Sequence, residues 1–154
     1  MIKTRNISYG GTAAIVTSMA LVNGLTAGDA TKPVIVSALL IAALADNLSD
    51  TLSIHIYQES EQLNKREAFA GTVTNFLTRL LLGSSFVILV GLLPLAHVAQ
   101  AAVVWGVLLL ATLTYLVARE RQVKPLPEVL KHLLVALVVL AVSTLIGRWI
   151  GAVL

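Results

Sequence analysis

The sequence predicts an all-α integral membrane protein, a five-transmembrane-helix bundle that forms a single transmembrane domain over residues 1–154. Hydrophobic residues make up 57% of the chain and charged residues only 12%, whereas soluble domains carry about 25% charged residues. The apolar residues also form blocks long enough to span a membrane, and the mean hydropathy is +0.88. A soluble all-α protein with a very large core is the alternative, but a chain this short cannot hide so much apolar surface from water.

Glycine, proline and charged links divide the apolar residues into five blocks. The first block opens with Gly10-Gly11, and Pro33 suits the first turn of the second helix because its missing N–H needs no partner there. Pro94 ends the third block, and the charged link 119–124 separates the fourth block from the fifth. The predicted spans are at about 9–27, 33–57, 69–93, 98–117 and 129–153.

Lysine and arginine are distributed unevenly over the links, and this predicts the orientation of the chain. Cytoplasmic links of membrane proteins carry an excess of these residues. With the N-terminus inside, the outer segments hold only Lys32 and Arg148. We therefore predict a cytoplasmic N-terminus and an external C-terminus, and the small size favours a prokaryotic cell (inner) membrane. The inner segments then contain Lys3, Arg5, Lys65, Arg66, Arg119, Arg121, Lys124 and Lys131.

Two carboxylates in the second half of span two are the outstanding polar residues, because a charge inside a span costs about 2.5–3.5 kcal/mol on insertion scales. Asp46 and Asp50 are four residues apart, so both project from one face of the helix. Carboxylate and hydroxyl oxygens suit divalent cations such as manganese, iron or magnesium. The predicted metal-ligating residues are Asp46, Ser49, Asp50 and Ser53 on this stripe, with His55, Glu59 and Glu61 toward the inner mouth.

Arg79 offers a second interpretation of the same carboxylates. It lies about 15 Å into span three from the cytoplasmic side, a depth similar to theirs. A pair between helices would lower the insertion cost of both charges, so Arg79 is an ion-pair candidate for Asp46 or Asp50. In that case the carboxylates are structural, and the arginine opposes the passage of a divalent cation.

Glycines at four-residue spacing occur near the outer ends of the first and last spans. This spacing allows two membrane helices to approach closely. Gly24 with Gly28, and Gly147 with Gly151, are therefore candidates for a dimer contact.

Motifs of an enzyme or a nucleic-acid-binding module are missing from the sequence. It contains no His-Glu-x-x-His, no Gly-x-Ser-x-Gly and no phosphate-binding glycine loop. The absence of cysteine excludes disulfides and thiolate metal sites, and no basic stripe is interleaved with aromatic residues. We expect a protein that is not an enzyme, binds no nucleic acid and holds no cofactor tightly.

Four stretches of the chain resemble the vacuolar iron transporter family. Tyr9–Thr17 is similar to the opening of that family's first span, and Asp46–Ser53 falls where the family has Ser-Met-x-x-Gly-Glu-Tyr-x-Ser. Asn75–Gly83, followed by Pro94, resembles its third span, and Leu145–Arg148 resembles the end of its fifth span.

The resemblance implies five spans, a homodimer, and a metal pathway between spans one and two at the dimer axis. Asp50 takes the place of the family's span-two glutamate, and Asp46 that of its methionine ligand. The chain departs from the family at Ala13, where the family has an aspartate, and at Arg79, where the family usually has an apolar residue. The short link 58–67 also stands in place of the family's soluble helices. It therefore resembles a divergent, minimal member in which Asp46 compensates for Ala13.

From the residues and the resemblance together, we expect a transporter of divalent metal cations, Fe²⁺ or Mn²⁺. The resemblance implies export from the cytoplasm coupled to H⁺, in a homodimer embedded in membrane lipid. One alternative is a non-transporting membrane scaffold or partner-binding subunit locked by an Asp–Arg pair. Another is a transporter of a different small solute, such as an organic anion drawn to Arg79.

Overall fold

Helices make up all the regular structure in the described residues. The computed structural model describes residues 4–60 and 65–153, with side chains for 10–57, 66 and 68–153. The helices are α1 (Thr4–Ala27), α2 (Lys32–Ile41), α3 (Asn47–Ser60), α4 (Lys65–Leu92), α5 (Leu95–Glu120) and α6 (Pro125–Val153). A π-helical turn, Ala42–Asp46, joins α2 to α3, so that the two continue as one span.

Five helical segments in the described part of the chain are long and apolar enough to cross a membrane, which confirms that part of the prediction. The last two helices begin earlier than expected, at Leu95 and Pro125. Pro94 explains the start of α5 at Leu95, because its backbone is extended, with a ψ of 143°, and the helix begins at the next residue. Pro125 is tolerated because the first turn of a helix needs no backbone N–H partner. The spans are Gly10–Ala27, Lys32–Tyr57, Ala68–Leu92, Leu95–Glu120 and Pro125–Val153.

Helix α1 lies at the centre of the bundle and packs against α4, α5 and α6. It is the least apolar of the five spans, and α6 is the most apolar. The burial runs in the opposite order, with 39% of the α1 span buried and only 6% of the α6 span. The most apolar helix is therefore the most peripheral one, because a surface that faces lipid tails must carry few polar groups. The core consists of Ile15, Met19, Val22, Ile35, Leu39, Phe86, Val90, Val98, Ala102, Leu110 and Ala136.

Glycines allow α1 and α6 to approach one another closely. Gly147 lies against the carbonyl oxygen of Gly24, and a β-carbon on Gly28 would lie only 2.9 Å from the carbonyl oxygen of Gly147. A β-carbon on Gly151 would lie 3.2 Å from the Cα of Gly28. The glycines meet in the same order along both helices, so α1 and α6 run parallel. The four glycines that the sequence suggested for a dimer contact therefore serve a contact within the chain.

The bundle has two chemically different ends. The basic end contains the end of α3, the start of α4, the α5–α6 link and the start of α1, and the opposite end contains the α1–α2 and α4–α5 links. At the opposite end, Lys32 Nζ donates to the carbonyl oxygen of Gly91 at 2.7 Å, where it stabilises the C-terminal carbonyl groups of α4. The described cations of the basic end are all exposed: Arg66, Arg119, Arg121, Lys124 and Lys131.

Candidate functional site

Arg79 joins the two intramembrane carboxylates across helices. Its Nη1 donates to Asp50 Oδ2 at 2.7 Å, and its Nη2 donates to Asp46 Oδ2 at 3.0 Å. The side chain of Arg79 is 6% exposed, whereas those of Asp50 and Asp46 are 30% and 56% exposed. These three residues form the Asp–Arg–Asp cluster. Two carboxylates share one guanidinium, so the ionised cluster carries one negative charge in excess.

The π-helical turn Ala42–Asp46 sets the direction in which the carboxylates face. Its wide turn is visible in the backbone N–H of Asn47, which bonds to the carbonyl oxygen of Ala42, five residues earlier. Such a turn inserts one residue into the helical register and recurs at functional sites. The helix that follows is therefore rotated relative to α2. Asp46 ends the π-helical turn, Asp50 lies in the first turn of α3, and both face Arg79 of α4.

A network of amides and one hydroxyl connects α3 to α4 in the same region. Asn47 Nδ2 donates to the carbonyl oxygen of Phe76 at 3.0 Å, and Thr51 Oγ1 donates to Asn47 Oδ1 at 3.3 Å. Asn75 Nδ2 donates to Thr51 Oγ1 at 3.4 Å. Asn75 is absent from the site predicted from the sequence, yet its position four residues before Arg79 already placed both residues on one face of α4.

Two buried polar atoms of this region have no hydrogen-bond partner among the described residues, Asn75 Oδ1 and Arg79 Nε. Gly10 of α1 packs against both residues. A β-carbon on Gly10 would overlap Asn75 Oδ1 and lie 3.0 Å from Arg79 Cγ. Buried polar atoms without a partner are rare in native proteins, and each one calls for a physical or functional explanation.

A small cavity of about 10 Å³ lies between the cluster and α1. Its polar lining comes from Thr17 and Ser18 of α1 and from Asp46, Asn47 and Arg79. This volume corresponds to about one water molecule. The cavity therefore has room for a water molecule between the cluster and the hydroxyl groups of α1.

The hydroxyl and histidine residues of the predicted stripe have partners of their own. Ser49 and Ser53 are exposed, and Ser53 Oγ donates to the carbonyl oxygen of Ser49 at 3.1 Å. Thr72 Oγ1 donates to the carbonyl oxygen of Ala68 at 2.9 Å, and His55 Nδ1 lies 3.2 Å from Thr72 Oγ1. Since a hydroxyl group has one proton, His55 Nδ1 is the donor in the second contact.

The predicted metal-ligating set is only partly described. Glu59 belongs to α3, but its side chain lies outside the described residues, and so does the whole of Glu61. Among the residues that the structure describes, no group of three or more His, Asp and Glu side chains could hold a metal ion. Asp46 and Asp50 meet Arg79 instead, so a cation that used both carboxylates would compete with the guanidinium.

The site is a charged cluster inside a membrane span, with an excess carboxylate that is half exposed. Such an arrangement can exchange a proton or a cation, and it can also hold two helices together. Comparison of the chain with protein-family models, with curated proteins and with solved structures finds no match.

Proposed function

We propose that the protein is a membrane transporter of divalent metal cations, Fe²⁺ or Mn²⁺, coupled to protons. The Asp–Arg–Asp cluster supports this proposal. A structural ion pair needs one carboxylate for one guanidinium, and the second carboxylate adds an insertion cost of about 2.5–3.5 kcal/mol. The excess negative charge is what a bound cation or proton neutralises.

The exposure of the two carboxylates suggests an order of events. Asp50 lies one turn nearer the basic end than Asp46, and Asp46 is the more exposed of the pair, so an exported cation meets Asp50 first and then passes to Asp46. Arg79 must then give up its two acceptors. The side-chain oxygen of Asn75, one turn away on α4, has no partner among the described residues and is the nearest candidate acceptor in sequence.

The proposal includes a direction, a membrane and an oligomeric state. Basic residues concentrated at one end favour a cytoplasmic position for that end, and transport is then export by exchange with protons across a prokaryotic cell membrane. The proposed form is a homodimer. A second copy that covers the exposed flank of α3 would shield Asp46, Ser49 and Ser53 from lipid.

A non-transporting membrane scaffold or partner-binding subunit is the second candidate. It is favoured by the burial of Arg79 and by its simultaneous bonds to Asp46 and Asp50. In that function the cluster fixes α3 against α4, and the guanidinium stays where a cation would have to bind.

Reconstitution in liposomes distinguishes the two candidates. The liposomes contain a metal-sensitive dye, and Mn²⁺ or Fe²⁺ is added with and without a proton gradient. We expect uptake that follows the gradient and disappears in Asp50→Asn. Asp29→Asn is the matched control, because Asp29 is an exposed carboxylate in the α1–α2 link with a φ of 57°, which asparagine also adopts.

The opposite result is also informative. If folded and inserted wild-type protein takes up no divalent ion, transport of divalent metals is excluded and the scaffold function is favoured. If Asp50→Asn and Asp29→Asn transport equally well, the cluster is not in the pathway.

A further inference from the structure

A larger cleft opens at the basic end of the bundle, between α1, α5 and α6. Its volume is about 570 Å³, within the range of small-molecule sites, and it shares no lining residue with the Asp–Arg–Asp cluster. The wall of the cleft is mainly apolar, with Val16, Leu113, Val117 and Val135. The cleft therefore has an apolar wall, formed by residues of the membrane spans, and a polar rim at the basic end of the bundle.

The rim carries the exposed cation Arg121, the carboxylate of Glu128 and the imidazole of His132. Glu128 lines the cleft, but its Oε1 accepts a bond from Lys131 Nζ at 2.9 Å. His132 Nδ1 lies 2.8 Å from the carbonyl oxygen of Glu128, and since a carbonyl oxygen only accepts, Nδ1 carries the proton. The other ring nitrogen, Nε2, donates to an anion only when it carries a proton as well, and Arg121 completes the rim as an exposed cation.

The surroundings of the cleft supply an excess of positive charge. Between residues 119 and 132 the chain has four basic residues and two acidic ones. Clusters of lysine and arginine at the end of a membrane helix attract anionic lipid headgroups. The charge and the apolar wall thus point to one class of occupant, an anionic amphiphile.

We propose that this cleft binds an anionic phospholipid. The phosphate group lies at Arg121, beside His132, and an acyl chain lies along Val117 and Val135. A free phosphate ion would use the rim and leave the apolar wall uncovered, whereas a lipid satisfies both parts of the cleft. This site is independent of the proposed transport function, since none of its residues belongs to the cluster.

Lipid titration of the purified protein, followed by native mass spectrometry, tests this proposal. Phosphatidylglycerol and phosphatidylcholine with the same acyl chains are compared. We expect tighter binding of phosphatidylglycerol, and a loss of about fivefold in its affinity for Arg121→Gln, which corresponds to ~1 kcal/mol per basic residue at an anionic surface. Phosphatidylcholine binding should change less, because its choline cation offsets the charge of its phosphate group. Arg148→Gln is the matched control, because Arg148 is an exposed arginine near the opposite end of the bundle.

A second variant and a competitor complete the test. Val135→Trp fills the cleft from a position that is already exposed, so the fold tolerates it, and it should remove the preference for phosphatidylglycerol. Equal affinity for the two lipids in the wild type, or equal effects of Arg121→Gln and Arg148→Gln, would overturn the proposal. Displacement of phosphatidylglycerol by millimolar inorganic phosphate would overturn the lipid assignment in favour of a free-phosphate site.

Discussion

Gly147 of α6 lies against the backbone carbonyl oxygen of Gly24 in α1, so closely that a β-carbon does not fit between the two helices. We expect Gly147→Ala to push the helices apart and to destabilise the protein by about 1–3 kcal/mol, the usual cost of overpacking. Thermal unfolding of the purified protein in detergent measures this loss. Gly91→Ala is the matched control, because a β-carbon there meets nothing within 4 Å. Equal losses in both variants would contradict the close contact.

The two carboxylates of the cluster should contribute unequally to stability. Asp50 has the shorter bond to Arg79, 2.7 Å against 3.0 Å for Asp46, and is the less exposed of the two. We expect Asp50→Asn to lose about 1.5–3 kcal/mol, the contribution of a hydrogen bond to a charged group. Asp46→Asn should be nearly neutral, because it weakens only the longer bond, made by the more exposed carboxylate, and leaves the Asp50–Arg79 pair in place. Chemical or thermal unfolding of both variants gives the order, and the reverse order would show that Asp46 is the main partner.

Removal of Arg79 should be the most damaging change to the cluster, because it leaves two carboxylates without a counter-charge. We expect Arg79→Gln to cost about 2.5–3.5 kcal/mol, the cost of an uncompensated charge inside a membrane span. The triple variant with Asp46→Asn and Asp50→Asn should recover most of this loss. A triple variant as unstable as Arg79→Gln alone would show that the guanidinium is needed for its packing.

The same set of variants bears on function. If the cluster transports cations, the triple variant folds but takes up no metal in the liposome assay, because it has lost both carboxylates. If the triple variant is as active as the wild type, the transport pathway lies elsewhere.

Arg79→Lys should be intermediate in stability between the wild type and Arg79→Gln, because an ammonium group keeps the charge but not the planar fork that reaches both carboxylates.

Labelling of single cysteines tests the predicted orientation. The chain has no cysteine of its own, so each introduced thiol reports one position. Thr31 is exposed and makes no capping bond with its side chain, and Val123 is 39% exposed at the basic end. We expect a membrane-impermeant maleimide to label Thr31→Cys in right-side-out vesicles and Val123→Cys only in inverted ones. The opposite pattern would place the basic end outside.

Part of the site was predictable because it depends on local spacing. The positions of Asp46 and Asp50 on one helical face, and the similar depth of Arg79, follow from counting residues along two spans. The sequence left open which aspartate pairs with the arginine, and the structure shows bonds to both. The role of Asn75 also becomes visible only when α3 and α4 are packed together.

The sequence by itself determined that five helices can cross a membrane and where each begins and ends to within a few residues. The physical reason is local, because the thickness of the lipid core sets the length and apolarity of every span. Tertiary structure alone decided that α1 is central, that four glycines join α1 to α6, that a π-turn rotates α3 relative to α2, and that a cleft opens at the basic end. These features depend on which helices meet and in what register. In lipid, that choice rests on close packing and polar pairing between residues far apart in the chain.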